Sequence, residues 1–435
     1  MRMSAGLGLT AVAWLGVLAA VSPPAAAQTI AITGGRVFPV SGPPIANGTV
    51  LIRDGKIVAV GADVQVPDGA ERIDATGKWV TPGLVNPQTQ LGLVEIGQVT
   101  DTRNATARGR GENRVNAAFT VWDGLNPMSV LLQPAQNEGV TTAVVLPQGG
   151  LIAGQGAIID IIGTSVSEML VKSPVAMVAQ IENAQAANTG ARGELLLRLR
   201  EVLEDTRAYG RNRSAFERAE TREFAASRLD LEAMLPVLQR RLPLIIGANR
   251  ASDIEAALKI ARDYDLDIII GGGADAWLVA DKLVAAKVPV MAGAMQNIPS
   301  SFSTLGARQE NTAMLRRAGV EVLLIGTGND PDAFNVRNIK QEAGNAVAYG
   351  MSWDDALRAV TLAPAEVFGV ADRIGSLRAG RDGNVVVWSG DPFEFATRAE
   401  HVIIRGQRQA LGDSRQDMLM QRYKTLPPDY STPAP

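Results

Sequence analysis

One histidine, His401, and no cysteine occur in the 435 residues of this chain. Those two counts remove most of the chemistry a hydrolytic or redox site could use. Disulfides, thiolate metal ligands and cysteine nucleophiles are excluded outright. A Ser-His-Asp triad could draw its base only from His401, which stands in AEHVIIRG, a short apolar run near the C-terminus. The sequence holds neither a G-x-S-x-G elbow nor an S-x-x-K pair. GGLIAGQG (Gly149 to Gly156) fits neither a Walker A loop nor G-x-G-x-x-G and reads as a loop. What remains is a set of amides and isolated carboxylates: Gln88 and Gln90, Asn249, and Asn329-Asp330, with Gln148, Glu95 and Arg250 beside them. Asp330 is the candidate catalytic base. Gln88, Gln90, Asn249 and Asn329 are the candidate substrate-binding residues, because an amide both donates and accepts hydrogen bonds and suits a peptide-like or sugar-like ligand. The alternative is that these amides satisfy one another in a silent site.

A large core must position such residues, and the composition allows one: 46% of residues are hydrophobic and 20% charged, which excludes global disorder. At this length a large barrel with an accessory domain is expected. The formal net charge of −3, without a long Lys/Arg run, argues against a nucleic-acid partner. Arg2, the apolar stretch from Ala5 to Val21 and the small residues Ala25-Ala26-Ala27 predict a cleaved secretory signal over residues 1–27 and a periplasmic protein. No other stretch is long and apolar enough to span a membrane, so no membrane contact is expected after cleavage.

From Thr29 to about Val80 the sequence reads as short strands and tight turns, with Asp54-Gly55 between VLI and IVAV as a hairpin signature. Further on, LII (Leu244 to Ile246), III (Ile268 to Ile270), VPVM (Val288 to Met291) and VLLI (Val322 to Ile325) alternate with helix-like sequence. One such helix is expected to open at Ser252, with Ser252 and Glu255 as a capping box, and to carry Ile254, Ala257, Leu258 and Ala261 on one face. Apolar strands alternating with helices read as parallel strands covered by helices. The class is therefore α/β. Eight units fit a (β/α)8 barrel between about Thr81 and Arg378, and a doubly wound open sheet is the other architecture the periodicity allows. Gly193 to Arg241 reads as a charged helical decoration, VVVW (Val385 to Trp388) and VIIRG (Val402 to Gly406) as strands, and the tail from residue 414 as a helix followed by a Pro-rich disordered end.

Four stretches together carry a resemblance: GTVLIRDGKIVAVG (Gly48 to Gly61), IDATGKWVTPGLVN (Ile73 to Asn86), WDDALRAVTLAPAEVFGV (Trp353 to Val370) and GSLRAGRDGNVVVWSGDP (Gly375 to Pro392). In order and spacing they are similar to the amidohydrolase superfamily, in particular its imidazolonepropionase-like branch. The resemblance implies a barrel over residues 81–378, with a small β-sandwich composed of residues 28–80 and 379–413. It also implies hydrolysis of C–N bonds in cyclic-amide-like substrates by a metal-activated water. The family's first barrel strand ends in D-x-H-x-H, where this chain has Asn86, Gln88 and Gln90. Gly247 stands where a later strand ends in a metal-binding histidine. GGGADAW (Gly271 to Trp277) again lacks one, and Gly328 holds the place of the final aspartate, two residues before Asp330. A histidine-held zinc is therefore not expected, and no cofactor is assigned. A Mg²⁺, Mn²⁺ or Ca²⁺ site built from oxygens is the alternative. The resemblance thus leaves two readings: a hydrolase acting on C–N bonds, or a catalytically silent relative that binds a small-molecule or peptide-like ligand. The silent form could also serve an intact paralogue as partner subunit. Barrels of this kind also suggest a homo-oligomer.

Overall fold

The computed structural model describes residues 29–107, 114–182, 191–295, 299, 301–326, 333–412 and 415–424. The signal segment, Asn329, Asp330 and the Pro-rich end lie outside the described residues. Strand β1 (Thr29–Val37) pairs antiparallel with β2 (Ile45–Arg53), which turns into β3 (Lys56–Gly61). The turn is Asp54-Gly55, as expected, and both residues take positive φ, 50° and 78°, the pair of values a two-residue hairpin needs. β4 (Glu71–Asp74) and β5 (Trp79–Pro82) run parallel to β1.

The barrel follows with β6 (Leu84–Thr89), β7 (Val140–Val145), β8 (Ile152–Asp160), β9 (Leu170–Gln180), β10 (Leu244–Ala248), β11 (Ile268–Gly272), β12 (Val290–Ala292) and β13 (Val322–Leu324). They form one sheet in chain order, and β13 lies back against β6 so that the ring is nearly closed. One strand departs from the all-parallel expectation. β8 is antiparallel to both β7 and β9. The chain reverses at Gly149 and Gly150, whose φ values of 89° and 78° are strained for any residue with a Cβ. The second half of GGLIAGQG is therefore strand rather than loop.

Side-chain alternation sorts the barrel residues. Leu244 and Ile246, Ile268 and Ile270, Val290 and Val322 pack outward under the helices. Ile245, Ile269, Met291 and Leu323 meet in the lumen, with Val85, Val144 and Val178. A period of two then places Gly247, Asn249 and Gly271 on the lumen side, above that apolar plug. The helix after β10, Ala251–Tyr264, buries Ile254, Ala257 and Ala261 of the expected face. It starts a residue early, however, with Arg250 at the N-cap and no side-chain cap. The Asp275 carboxylate accepts the Ala251 N–H instead, at 3.3 Å.

After the barrel, β14 (Val385–Trp388), β15 (Ala399–Ile404) and β16 (Gln407–Arg408) extend the first sheet, with β14 antiparallel to β5. N- and C-terminal segments thus share one hydrogen-bonded sheet and one apolar cluster that includes Ile30, Ile52, Val80, Val385 and Ile403. His401 stands on β15 in this sheet. A buried ionic network joins sheet to barrel. Asp160 at the end of β8 accepts from Thr142 Oγ1 (2.7 Å), Asn384 Nδ2 (3.1 Å) and Arg405 Nε (2.6 Å).

Candidate functional site

A cavity of about 420 Å³ opens at the C-terminal ends of the barrel strands, lined among others by Gln88, Gln148, Gln180, Glu182, Gly247, Asn249 and Gly272. Barrels of this class bind their ligands at that end. A larger open groove of about 890 Å³ lies between helices Ala251–Tyr264 and Ala280–Ala286. Its charged residues are largely surface pairs, such as Arg240 with Asp265 and Asp267 and Lys282 with Glu255, and it has no convergent buried polar groups. The smaller cavity is the candidate site.

Gln88 reaches the cavity because of an irregularity in β6. Val85 faces the lumen, so strict alternation would turn Pro87 inward. A register shift between Asn86 and Thr89 resets the alternation and aims Gln88 at the cavity, the re-aiming that bulges near sites provide. Asn86 braces the irregularity: its Oδ1 accepts the Gln88 N–H at 3.0 Å and its Nδ2 donates to Val336 O at 3.2 Å. Gln90, one residue past β6, begins a turn in which its carbonyl accepts Leu93 N and Val94 N (2.8 and 3.0 Å). It is buried away from the cavity wall, with Nε2 unpartnered. Asn249 and Gln148 line the cavity. Glu95 accepts from Asn126 Nδ2 at 2.6 Å, and Arg250 turns to Phe302 O.

Two cavity residues escaped the sequence reading. Gln180 ends β9 and Glu182 follows two residues later on the same face. The signal was available: the apolar run VAMVA (Val175 to Ala179) gives way to polar residues at alternate positions, Gln180 and Glu182. Asn249 Nδ2 donates to Glu182 Oε2 at 2.7 Å, and Asn249 Oδ1 accepts Ala274 N at 3.2 Å. Burial pushes the Glu182 carboxyl above the usual carboxylate range. Hydrogen bonds from Asn249 oppose that shift, Asp253 adds to it and Arg192 offsets it. The lining thus combines neutral donors and acceptors with the Arg103 guanidinium and one carboxyl biased toward its protonated form.

The space where a histidine at position 247 would stand is filled. A Cβ built on Gly247 would lie 2.1 Å from Gln180 Oε1, and one on Gly272 2.7 Å from Asn249 Oδ1. Among the described residues no three His, Asp or Glu side chains come together as a metal would require. The donor set here, amide oxygens and a single hydrogen-bonded carboxyl, does not fit a histidine-held zinc.

Comparison with known proteins agrees with the fold. The amidohydrolase family model matches residues 273–409. The chain is 24% identical over 399 residues to amidohydrolase tasK of Hapsidospora irregularis, spanning 83% of this chain and 40% of that longer protein. It is 24% identical over 402 residues to imidazolonepropionase of Acidiphilium cryptum (strain JF-5), covering 80% and 89% of the two chains. The crystal structure of an amidohydrolase from Thermotoga maritima MSB8 superposes with a TM-score of 0.78 at 27% identity, over 88% of this chain and all of that one. Together these matches support the amidohydrolase superfamily, on its imidazolonepropionase-like side, and with it a hydrolase. Among the described residues no helix is long and apolar enough to cross a membrane.

Proposed function

We propose that the barrel mouth binds a small, uncharged, cyclic-amide-like molecule and does so without a histidine-held metal. One observation carries this reading: Gln180 and Asn249 occupy the space that side chains at 247 and 272 would need, and the second of these amides is bonded to Glu182. An amide ligand offers one carbonyl acceptor and one N–H donor, which amide side chains and a protonated carboxyl complement in pairs. Gly247, Gly271 and Gly272 line the same cavity. The N-terminal signal pattern supports a site of action outside the cytoplasm.

C–N hydrolysis at this site is favoured by a separate observation, the raised carboxyl of Glu182. A base with a pKa shifted toward neutrality removes a proton from water and returns it to the leaving nitrogen more readily than an ordinary carboxylate. The two readings part in one experiment on the purified full chain. Titration calorimetry with hydantoin and 2-pyrrolidinone is expected to show binding by protein that carries no stoichiometric zinc. If Glu182→Gln retains binding within a few-fold but loses any measured ring opening, Glu182 is the base. If it leaves ring opening unchanged, or if no ring opening is seen, hydrolysis by Glu182 is wrong. Stoichiometric metal together with chelator-sensitive turnover would sink the metal-independent reading altogether.

A further inference from the structure

The groove between helices Ala251–Tyr264 and Ala280–Ala286 lies at the end of the barrel opposite the mouth. Pro243, Asp267 and Pro289, just before β10, β11 and β12, belong to its lining. Its floor is apolar, with Leu258, Leu266, Ile268 and Val288. Ala261, Ala285 and Ala286 stand on its walls, side chains too short to close a space of about 890 Å³, a size that suits a small molecule. The rim is basic. Arg240, Lys259, Arg262, Lys282 and Lys287 stand against three carboxylates, Glu255, Asp265 and Asp267. Those carboxylates are all engaged: Arg240 holds Asp265 at 2.8 Å and Asp267 at 2.5 Å, and Lys282 holds Glu255 at 2.5 Å. Lys259 reaches Asp263 at 2.6 Å, while Arg262 and Lys287 form no salt bridge among the described residues.

The backbone repeats one device under this rim. Three successive helices end in the same closure: Arg241 N donates to Pro236 O at 2.9 Å, Leu266 N to Ala261 O at 2.9 Å, and Val288 N to Leu283 O at 3.0 Å. Such a closure takes one left-handed residue, ordinarily glycine. Here the three are Arg240, Asp265 and Lys287, with φ of 55°, 55° and 54°, and all three line the groove. A charged side chain held where glycine fits more easily costs stability, and residues kept at that cost gather at ligand sites.

We infer that the groove binds a monomeric amphiphile with one alkyl chain and an anionic head, the chain on the apolar floor and the head between Arg262 and Lys287. Charge selects the head: the whole chain carries a formal net charge of −3, so only the local rim attracts an anion. The lack of convergent buried polar groups suits an alkyl chain, which has no hydrogen bonds to make. The site is separate from the mouth and does not depend on what the mouth binds.

The test titrates hexanoate, decanoate and decyltrimethylammonium, each as monomer, into the full chain by calorimetry. It repeats the titrations with Ala285→Phe, which fills the groove, and with Arg262→Ala/Lys287→Gly, which removes the head contacts. All three positions are exposed, so folding is expected to survive, and circular dichroism checks it. Decanoate is expected to bind at least tenfold more tightly than hexanoate, because each buried methylene adds to affinity, and at least tenfold more tightly than decyltrimethylammonium. Ala285→Phe should lose most of the chain-length gain, and the double variant most of the preference for the anion. Lys287→Gly alone should melt no lower than the parent, since glycine takes this φ without strain. No saturable decanoate binding, equal binding of the two decyl compounds, or binding that both variants leave intact would overturn the inference. So would sedimentation with phosphatidylglycerol vesicles in place of monomer binding, which would assign a membrane surface. A dimer that the double variant dissociates would assign the groove to a second copy of the chain and overturn it as well.

Discussion

Replacing Glu342 by glutamine should stabilise the protein at alkaline pH and leave it almost unchanged in acid. Glu342 is 1% exposed on helix Ile339–Ala348. Its Oε2 accepts Ala294 N at 2.8 Å and Met295 N at 3.0 Å, just past β12, while Oε1 is buried without a partner. Burial outweighs those two hydrogen bonds and raises the carboxyl from 4.5 to about 7, with no charged neighbour contributing. The native state therefore holds this proton more tightly than the unfolded chain does. Stability from that difference is fully present below pH 4.5 and is lost as pH climbs through 7. The shift, 7 − 4.5 or 2.5 units, corresponds to a loss on the order of 3 kcal/mol at about 1.4 kcal/mol per unit. Glutamine keeps a carbonyl for Ala294 and Met295 but cannot ionise, so Glu342→Gln should escape the loss. Thermal unfolding of both proteins at one scan rate, from pH 4.5 to 8.5, gives the comparison, since every other titrating group cancels in the difference. Melting curves should coincide near pH 4.5 and separate above pH 6, the variant melting higher. A separation that does not change with pH would refute the assignment of a strained, ionising carboxylate here.

Other outcomes follow from the same structure. Gly247→Ala should cost about 1–3 kcal/mol, because its Cβ must displace the Gln180 amide. Adding Gln180→Ala should recover much of that, and strictly additive unfolding energies would show that the two positions do not compete. Arg405→Ala removes the charge beside Asp160, which burial already raises above its ordinary value. The expected loss is about 3–5 kcal/mol. Because a raised carboxyl is least costly when protonated, denaturant unfolding should show a smaller loss near pH 4 than near pH 7. Added Zn²⁺ should leave the melting temperature of the full chain unmoved, since a specific ligand must stabilise the state it binds; a shift of several degrees that EDTA reverses would contradict the donor-set argument.

The fold was largely legible because its signals are local. Asp54-Gly55 specifies a turn through φ alone, and the runs around Ile245, Ile269 and Leu323 are apolar enough to be strands under any tertiary arrangement. β8 was not legible for the opposite reason. Its antiparallel direction follows from a reversal at Gly149-Gly150, and glycines inside an apolar run signal a bend without saying which way the chain leaves it. The helix at Ala251 shows the same limit at smaller scale. Ser252 and Glu255 have the spacing of a capping box, but a carboxylate from the next loop, Asp275, reaches the helix start and makes the local cap unnecessary.

The site shows why Gln88, Gln90 and Gly247 cannot be interpreted one at a time. Gln88 and Gln90 look equivalent in sequence, two amides at the spacing of two ligands. The register shift in β6 and the turn at Gln90 separate them, so one faces the cavity and the other is buried elsewhere. Gly247 looks like an empty position in sequence, yet the volume beside it belongs to Gln180, a residue on the neighbouring strand. Restoring an imidazole at 247 alone would therefore produce a collision rather than a ligand. The replacements on β9, β10 and β11 are coupled by volume: glycine at 247 permits the Gln180 amide, and glycine at 272 permits Asn249, which in turn holds Glu182. Mutual accommodation across three strands is what the proposed amide-binding reading requires, and it makes Glu182, rather than the amides of β6, the residue on which that proposal is tested first.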